Sequence, residues 1–283
     1  MKTEHLILYR NMEYQNLLEE MDAALETGGM SGDVWRLANQ LIELASKYGF
    51  EGNLWHCFLA LCIANHENAY SISCEIRGQA GGSLDALARE DFAIFKELFD
   101  YDIRSLGGAV WELLSCYRPA QADSRVFNRR IRDRIVNLAV QLEKSRNPGE
   151  FQIHAAEFYR EFGVGKFGLN KAFRIVEREE DHQVVIDPII NVEHVYLKDL
   201  VGYELQKKKL VENTEAFLAG KEANNVLLFG DAGTGKSSSV KAVLNEYYGR
   251  GLRMIEVYKH QFKTLSDVLE QIKDRNYKFI IYM

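Results

Sequence analysis

Eight consecutive residues, Gly230-Asp231-Ala232-Gly233-Thr234-Gly235-Lys236-Ser237, constrain this chain more than any other stretch. They follow the spacing G-x-x-x-x-G-K-S/T, a pattern that works between a strand and a helix. Glycines permit the tight turn that aims successive backbone N–H groups inward at phosphate oxygens, and the helix that follows adds the positive end of its dipole. In this pattern the Lys236 ammonium reaches the β- and γ-phosphates and the Ser237 hydroxyl holds Mg2+. The candidate nucleotide-binding residues are therefore Gly230, Asp231, Ala232, Gly233, Thr234, Gly235, Lys236, Ser237 and Ser238, with Ser237 as the metal ligand through the nucleotide.

The flanking sequence supplies the setting that the loop needs. Asn225 to Phe229 reads as a strand, Lys236 to Tyr247 as a helix, Arg253 to Val257 as a strand, Thr264 to Lys273 as a helix and Tyr277 to Tyr282 as a strand. Such alternation predicts βαβ units and a parallel sheet.

The first 180 residues or so have a different texture. The chain has only three prolines, Pro119, Pro148 and Pro188, so little interrupts long helices there. Apolar residues recur at three- and four-residue spacing, as in Leu37, Leu41, Leu44 and Tyr48, or Phe127, Ile131, Ile135, Leu138 and Leu142. Turn-forming clusters break the pattern at Gly28 to Gly32, Gly78 to Ser83, Arg118-Pro119 and Asn147-Pro148-Gly149. These signals predict about six to eight helices, in a bundle or short solenoid, although no fixed-period repeat supports a solenoid. The texture changes near residue 183, where Val184-Val185-Ile186 is β-branched and Asp187-Pro188 follows. The expected organisation is two domains: an all-α domain at 1–183, a linker at 184–198 and an α/β nucleotide-binding domain at 199–283.

Charge separates the same two parts. Residues 1–183 hold 21 Lys+Arg against 28 Asp+Glu, and the rest 14 against 13. An acidic first domain argues against non-specific nucleic-acid binding, which neutralises phosphates with a basic surface. The longest strongly apolar stretch, Cys57 to Ala64, is far short of the roughly 20 residues that cross a bilayer. The N-terminus lacks the apolar core of a signal peptide, so the expectation is a cytoplasmic protein with no membrane partner. Cys57, Cys62, Cys74 and Cys116 form no C-x-x-C pair and read as reduced, buried thiols.

Upstream of the loop, Leu197-Lys198-Asp199-Leu200-Val201-Gly202-Tyr203-Glu204 leads into an amphipathic helix, Leu205 to Leu218, ending at Gly220. This arrangement resembles the start of AAA-type ATPases. The run from Asp199 to Tyr282 is similar to an uncharacterised bacterial family of AAA-type ATP-binding proteins that carry a helical region ahead of the ATPase domain; before Asp199 the likeness is confined to segments such as Phe167 to Arg174. The resemblance implies that Leu200, Val201 and Gly202 line the pocket for the adenine base, and that ATP and Mg2+ are the cofactors. It implies a function in which ATP hydrolysis remodels or loads a partner, met through the helical domain, with an oligomer possible in the full-length form. A nucleotide-gated interaction module without hydrolysis and a P-loop kinase are the alternatives. In the family an acidic pair follows the third strand, here Tyr277 to Tyr282, and the sequence reaches Met283 before any such acid. By the resemblance the sequence thus holds the first half of the AAA-type domain, truncated before its Walker B acids. No catalytic residue is assigned, and the chain is expected to bind nucleotide at most. The family's sheet also places a further strand between Asn225 to Phe229 and Tyr277 to Tyr282.

Weaker signals have plain readings. Arg125, Arg129, Arg130, Arg132 and Arg134 read as a solvated helix face, with Asp133 pairing to Arg129. Cys62 and His66, with His56 and Cys74 nearby, match no common zinc spacing and read as core. Lys207-Lys208-Lys209 reads as a solvated run, and Glu256 and Lys259 have no catalytic role.

Overall fold

The computed structural model describes residues 2–30, 33–119, 127–178, 183–190 and 192–283. Ser31 and Gly32 of the first expected turn, Arg125 of the basic face, and residues 179–182 before the expected boundary lie outside the described residues. The chain divides into two compact units, Met1–Leu169 and Asn170–Met283.

Among its described residues the first unit has nine α-helices: α1 (Gln15–Glu26), α2 (Val34–Tyr48), α3 (Leu54–Asn65), α4 (Ala69–Arg77), α5 (Gly82–Asp100), α6 (Ala109–Ser115), α7 (Arg129–Glu143), α8 (Pro148–Phe162) and α9 (Gly165–Leu169). That exceeds the six to eight expected, because short α6 and α9 are too brief to show a period. Side-chain caps start several of them. Asp33, Asn53, Asn128 and Asn147 each accept from backbone N–H groups of the turn that follows. The apolar stripes are the buried faces: Leu37, Leu41 and Leu44 on α2, and Ile131, Ile135, Leu138 and Leu142 on α7. Helix α3 differs, since every residue from Leu54 to Ala64 is buried and neighbours surround it. The segment before α1 is fastened by Asp91 on α5, whose carboxylate accepts from the backbone N–H groups of Ile7 (2.8 Å), Leu8 (2.7 Å) and Tyr9 (3.0 Å).

Several plain readings need adjustment here. Cys57, Cys62 and Cys74 are buried, but Cys116 is exposed at the end of α6. Asp133 is paired with the adjacent Arg132 at 2.6 Å. Arg134 is not simply solvated, because its guanidinium lies 4.4 Å from the Phe162 ring centre and donates to the Gly168 carbonyl at 3.3 Å. His66 directs a ring nitrogen at the Leu8 carbonyl, 3.1 Å away.

The second unit is a four-stranded sheet with helices. Its elements are β1 (Ala172–Glu177), β2 (Val184–Pro188), α10 (Glu204–Leu218), α11 (Lys236–Tyr247), β3 (Leu252–Glu256), α12 (Leu265–Ile272) and β4 (Lys278–Tyr282). The strand order is β2-β1-β3-β4. Strand β1 runs antiparallel to β2 and parallel to β3, and β3 runs parallel to β4. The sheet is thus mixed, not all-parallel. A core of Ala172, Val243, Leu244, Tyr247, Leu252 and Met254 joins α11 to the sheet, with Leu210, Val211 and Phe217 of α10 packed against it.

This sheet corrects the expected boundaries. Residues 172–177, expected in the helical domain, and 184–188, expected in a linker, pair as a hairpin at one end of the sheet. Pro188 is tolerated because β2 is the edge strand. A second correction falls on Asn225 to Phe229, which forms no strand. Leu227 is 83% exposed and Phe229 88% exposed. An apolar run becomes a strand only where a neighbouring edge supplies backbone partners, and this run pairs with neither open edge of the sheet, β2 or β4.

Candidate functional site

The glycine-rich loop lies directly before α11. Gly230, Gly233 and Gly235 take positive φ values of 143°, 78° and 79°, which a side chain would resist. A Cβ placed on Gly233 or Gly235 would meet nothing within 4 Å, so open space borders these glycines. Gly235 is the N-cap of α11 and brings no side chain to its first turn. That turn therefore presents backbone N–H groups and the positive dipole end beside the loop.

Lys236, the first helical residue, folds its side chain back over the loop. Its Nζ donates to the carbonyls of Gly230 (2.9 Å) and Asp231 (2.7 Å) and lies 3.4 Å from Thr234 Oγ1. Thr234 in turn donates to the Asp231 carbonyl at 2.8 Å, which closes the loop on itself. Ser237 is exposed, and its Oγ accepts from the hydroxyl of Tyr282, at the end of β4, at 2.8 Å. Ser238 is half-buried, while Asp231 and Ala232 are exposed at the tip. The structure gathers Gly230 to Ser238 into one feature: a glycine-rich turn running into the start of α11, with the Lys236 ammonium and the hydroxyls of Thr234, Ser237 and Ser238. That donor set suits a polyphosphate with a divalent cation.

Leu200, Val201 and Gly202 follow the short 3-10 turn Leu197–Asp199, which packs against α11. Val201 is 94% exposed, and Gly202 (φ 80°) and Tyr203 (φ 56°) both take left-handed backbone conformations. Lys207 on α10 donates to the Leu200 carbonyl at 2.8 Å and pairs with Glu204 at 2.7 Å. The lysine run is thus not uniformly solvated, since Lys207 holds the backbone of this segment.

Sequence reasoning passed over Asn245, a polar residue almost fully buried on α11 that binds the segment leading to Leu200. The readable signal is an asparagine beside the apolar Val243, Leu244 and Tyr247 of a helix. In the first unit an open cleft of about 440 Å³ is lined by Tyr70, Asp85, Arg89, Glu150, Gln152 and others, with mixed charge. No helix among the described residues is long and apolar enough to cross a membrane.

One comparison with known proteins falls on the second unit. Residues 169–283 match the family described as "Protein of unknown function (DUF815)". The replication factor C large subunit of Staphylothermus marinus is 36% identical over 73 residues, which cover 25% of this chain and 16% of that protein. The similarity therefore spans a small part of the relative's length. No solved structure matches the chain. The two similarities together suggest an AAA-type relation.

Proposed function

We propose that the unit Asn170–Met283 binds ATP together with Mg2+ at the loop Gly230 to Ser238, and that the protein belongs functionally with AAA-type ATPases that act on a partner. One observation carries the reading: three positive-φ glycines turn the loop at the start of α11, open space borders Gly233 and Gly235, and the Lys236 ammonium is folded back over the loop. In this reading the backbone amides of 231–237 hold phosphate oxygens, and Lys236 exchanges its carbonyl contacts for the β- and γ-phosphates. Ser237 offers its oxygen to the metal, with Tyr282 keeping the hydroxyl oriented. Mg2+ supplies charge neutralisation across the phosphates when bound. Leu200, Val201 and Gly202 receive the base, which would cover the exposed Val201 side chain. The similarity to a replication factor subunit supports a partner-directed role, with the helical unit as the contact.

Titration calorimetry of the full chain with ATP and MgCl2 tests this. Lys236→Ala removes charge-assisted hydrogen bonds worth about 1.5–3 kcal/mol each, so affinity should fall by at least about tenfold. Equal affinity in the wild type and the variant would show that the loop is not the nucleotide site.

A further inference from the structure

We infer that Asn245 is a positioning residue that fixes the base segment Leu200 to Gly202 relative to the phosphate loop, so that both ends of one nucleotide are received in register. This rests on the nucleotide reading above and assigns the connection between its two halves.

The Asn245 carboxamide makes three hydrogen bonds. Its oxygen accepts from the Lys171 ammonium, while its NH2 group donates to the carbonyls of Glu193 (2.9 Å) and Val195 (2.8 Å). An ammonium only donates and a carbonyl only accepts, so this chemistry allows one orientation of the amide. Asn245 is 7% exposed, and its partners lie on two separate parts of the unit. Lys171 directly precedes β1, and its own carbonyl accepts from the Met254 N–H of β3 at 2.9 Å. Glu193 and Val195 belong to the segment that approaches Leu200. One turn earlier on α11, Lys241 reaches the Glu193 carboxylate at 3.1 Å, a second tether on the same face.

From this anchor to Leu200 the chain has little freedom. Tyr196 N–H donates to the Asp199 carboxylate (2.9 Å), Asp199 N–H to the Tyr196 carbonyl (2.9 Å) and Leu200 N–H to the Leu197 carbonyl (3.3 Å). Lys207 then holds the Leu200 carbonyl. The position of the base segment is therefore set where Asn245 grips Glu193 and Val195. Asn245 and Lys236 share α11, nine residues or about 13 Å apart along its axis. A rigid helix thus carries the phosphate ligand at one end and the base-segment anchor near the other.

The test compares ATP with inorganic tripolyphosphate, each with MgCl2, on the full chain. Tripolyphosphate engages only the loop, so the ratio of the two affinities measures what the base side contributes. In the wild type ATP should bind more tightly. Asn245→Ala should weaken ATP at least tenfold while tripolyphosphate stays within twofold. Asn245→Asp keeps the acceptor but loses both donors, and should lose ATP affinity likewise. Lys241→Ala removes only the exposed tether and should lie between these and wild type; it decides the matter if neither Asn245 variant folds. A folded variant that weakens both ligands equally, or neither, overturns the inference alone. A wild type that binds both ligands equally also overturns it. A wild type that binds neither ligand overturns the nucleotide reading and this inference with it.

Discussion

Arg253 gives the sharpest test of how the second unit is held together. It sits on β3, the strand flanked on both sides by others, and is 3% exposed. Its guanidinium lies 4.1 Å from the Tyr248 ring centre and 4.2 Å from that of Tyr277, and it donates to the carbonyls of Tyr248 (3.2 Å) and Leu252 (2.9 Å). Two desolvated ring contacts contribute about 0.5–2 kcal/mol each. The hydrogen bonds add a similar amount, offset by the cost of burying a cation. Arg253→Ala removes all of this and leaves a gap between two rings, a change that costs about 3 kcal/mol by analogy with large-to-small core substitutions. Arg253→Met refills the slot without donors or charge, and should recover roughly half. Hydrogen exchange of the full chain, read by mass spectrometry, reports the difference locally. A loss of about 3 kcal/mol speeds exchange in peptides from β3 and β4 by about a hundredfold. Unchanged protection in Arg253→Ala would refute the account, and Met as damaging as Ala would refute the share given to packing.

Other outcomes follow from the helical unit. Asp91→Ala deprives three backbone N–H groups of their acceptor and should cost about 2–4 kcal/mol; thermal melting and limited proteolysis before α1 check it, and an unchanged melting temperature would count against it. Burial lowers the His56 and His66 imidazoles from the usual 6.5, with the neighbouring Glu143 opposing this at His56. The unfolded chain therefore takes up these protons first, so their contribution is complete above pH 6.5 and is lost as pH falls below it. Melting temperature should drop as pH falls below about 6.5, and His56→Gln should flatten that slope.

How legible this was from the sequence depended on how local the cause is. The loop from Gly230 to Ser237 and the helix Lys236–Tyr247 were readable because glycine spacing, an N-terminal lysine and an apolar period all act within a few residues. The buried stripes of α2 and α7 were readable for the same reason. Strand pairing was not. Val184 to Pro188 looked like a linker because the partner that makes it a strand is a hairpin with 172–177. Asn225 to Phe229 has every strand-like residue but pairs with neither open edge of the sheet, and pairing is not a local property. Lys207 was misread for a related reason: its charge suggests solvent, while the Leu200 carbonyl that it holds lies on another element. Asn245 was overlooked because its role depends on three carbonyl and ammonium partners distant in sequence.

Burial around the whole circumference of α3 bears on how this protein can change over time. Helices such as α2 and α7 offer alternate positions to solvent, so their sequences can drift on one side while the other stays fixed. From Leu54 to Ala64 there is no such side, and each residue is confined by neighbours on all quarters. Divergence along this helix has to proceed by paired, compensating exchanges of volume with α2, α5, α6, α7, α8 and α9, the helices packed against it. α3 is consequently the slow clock of the helical unit, and the segment by which remote versions of that unit can be brought into register with one another.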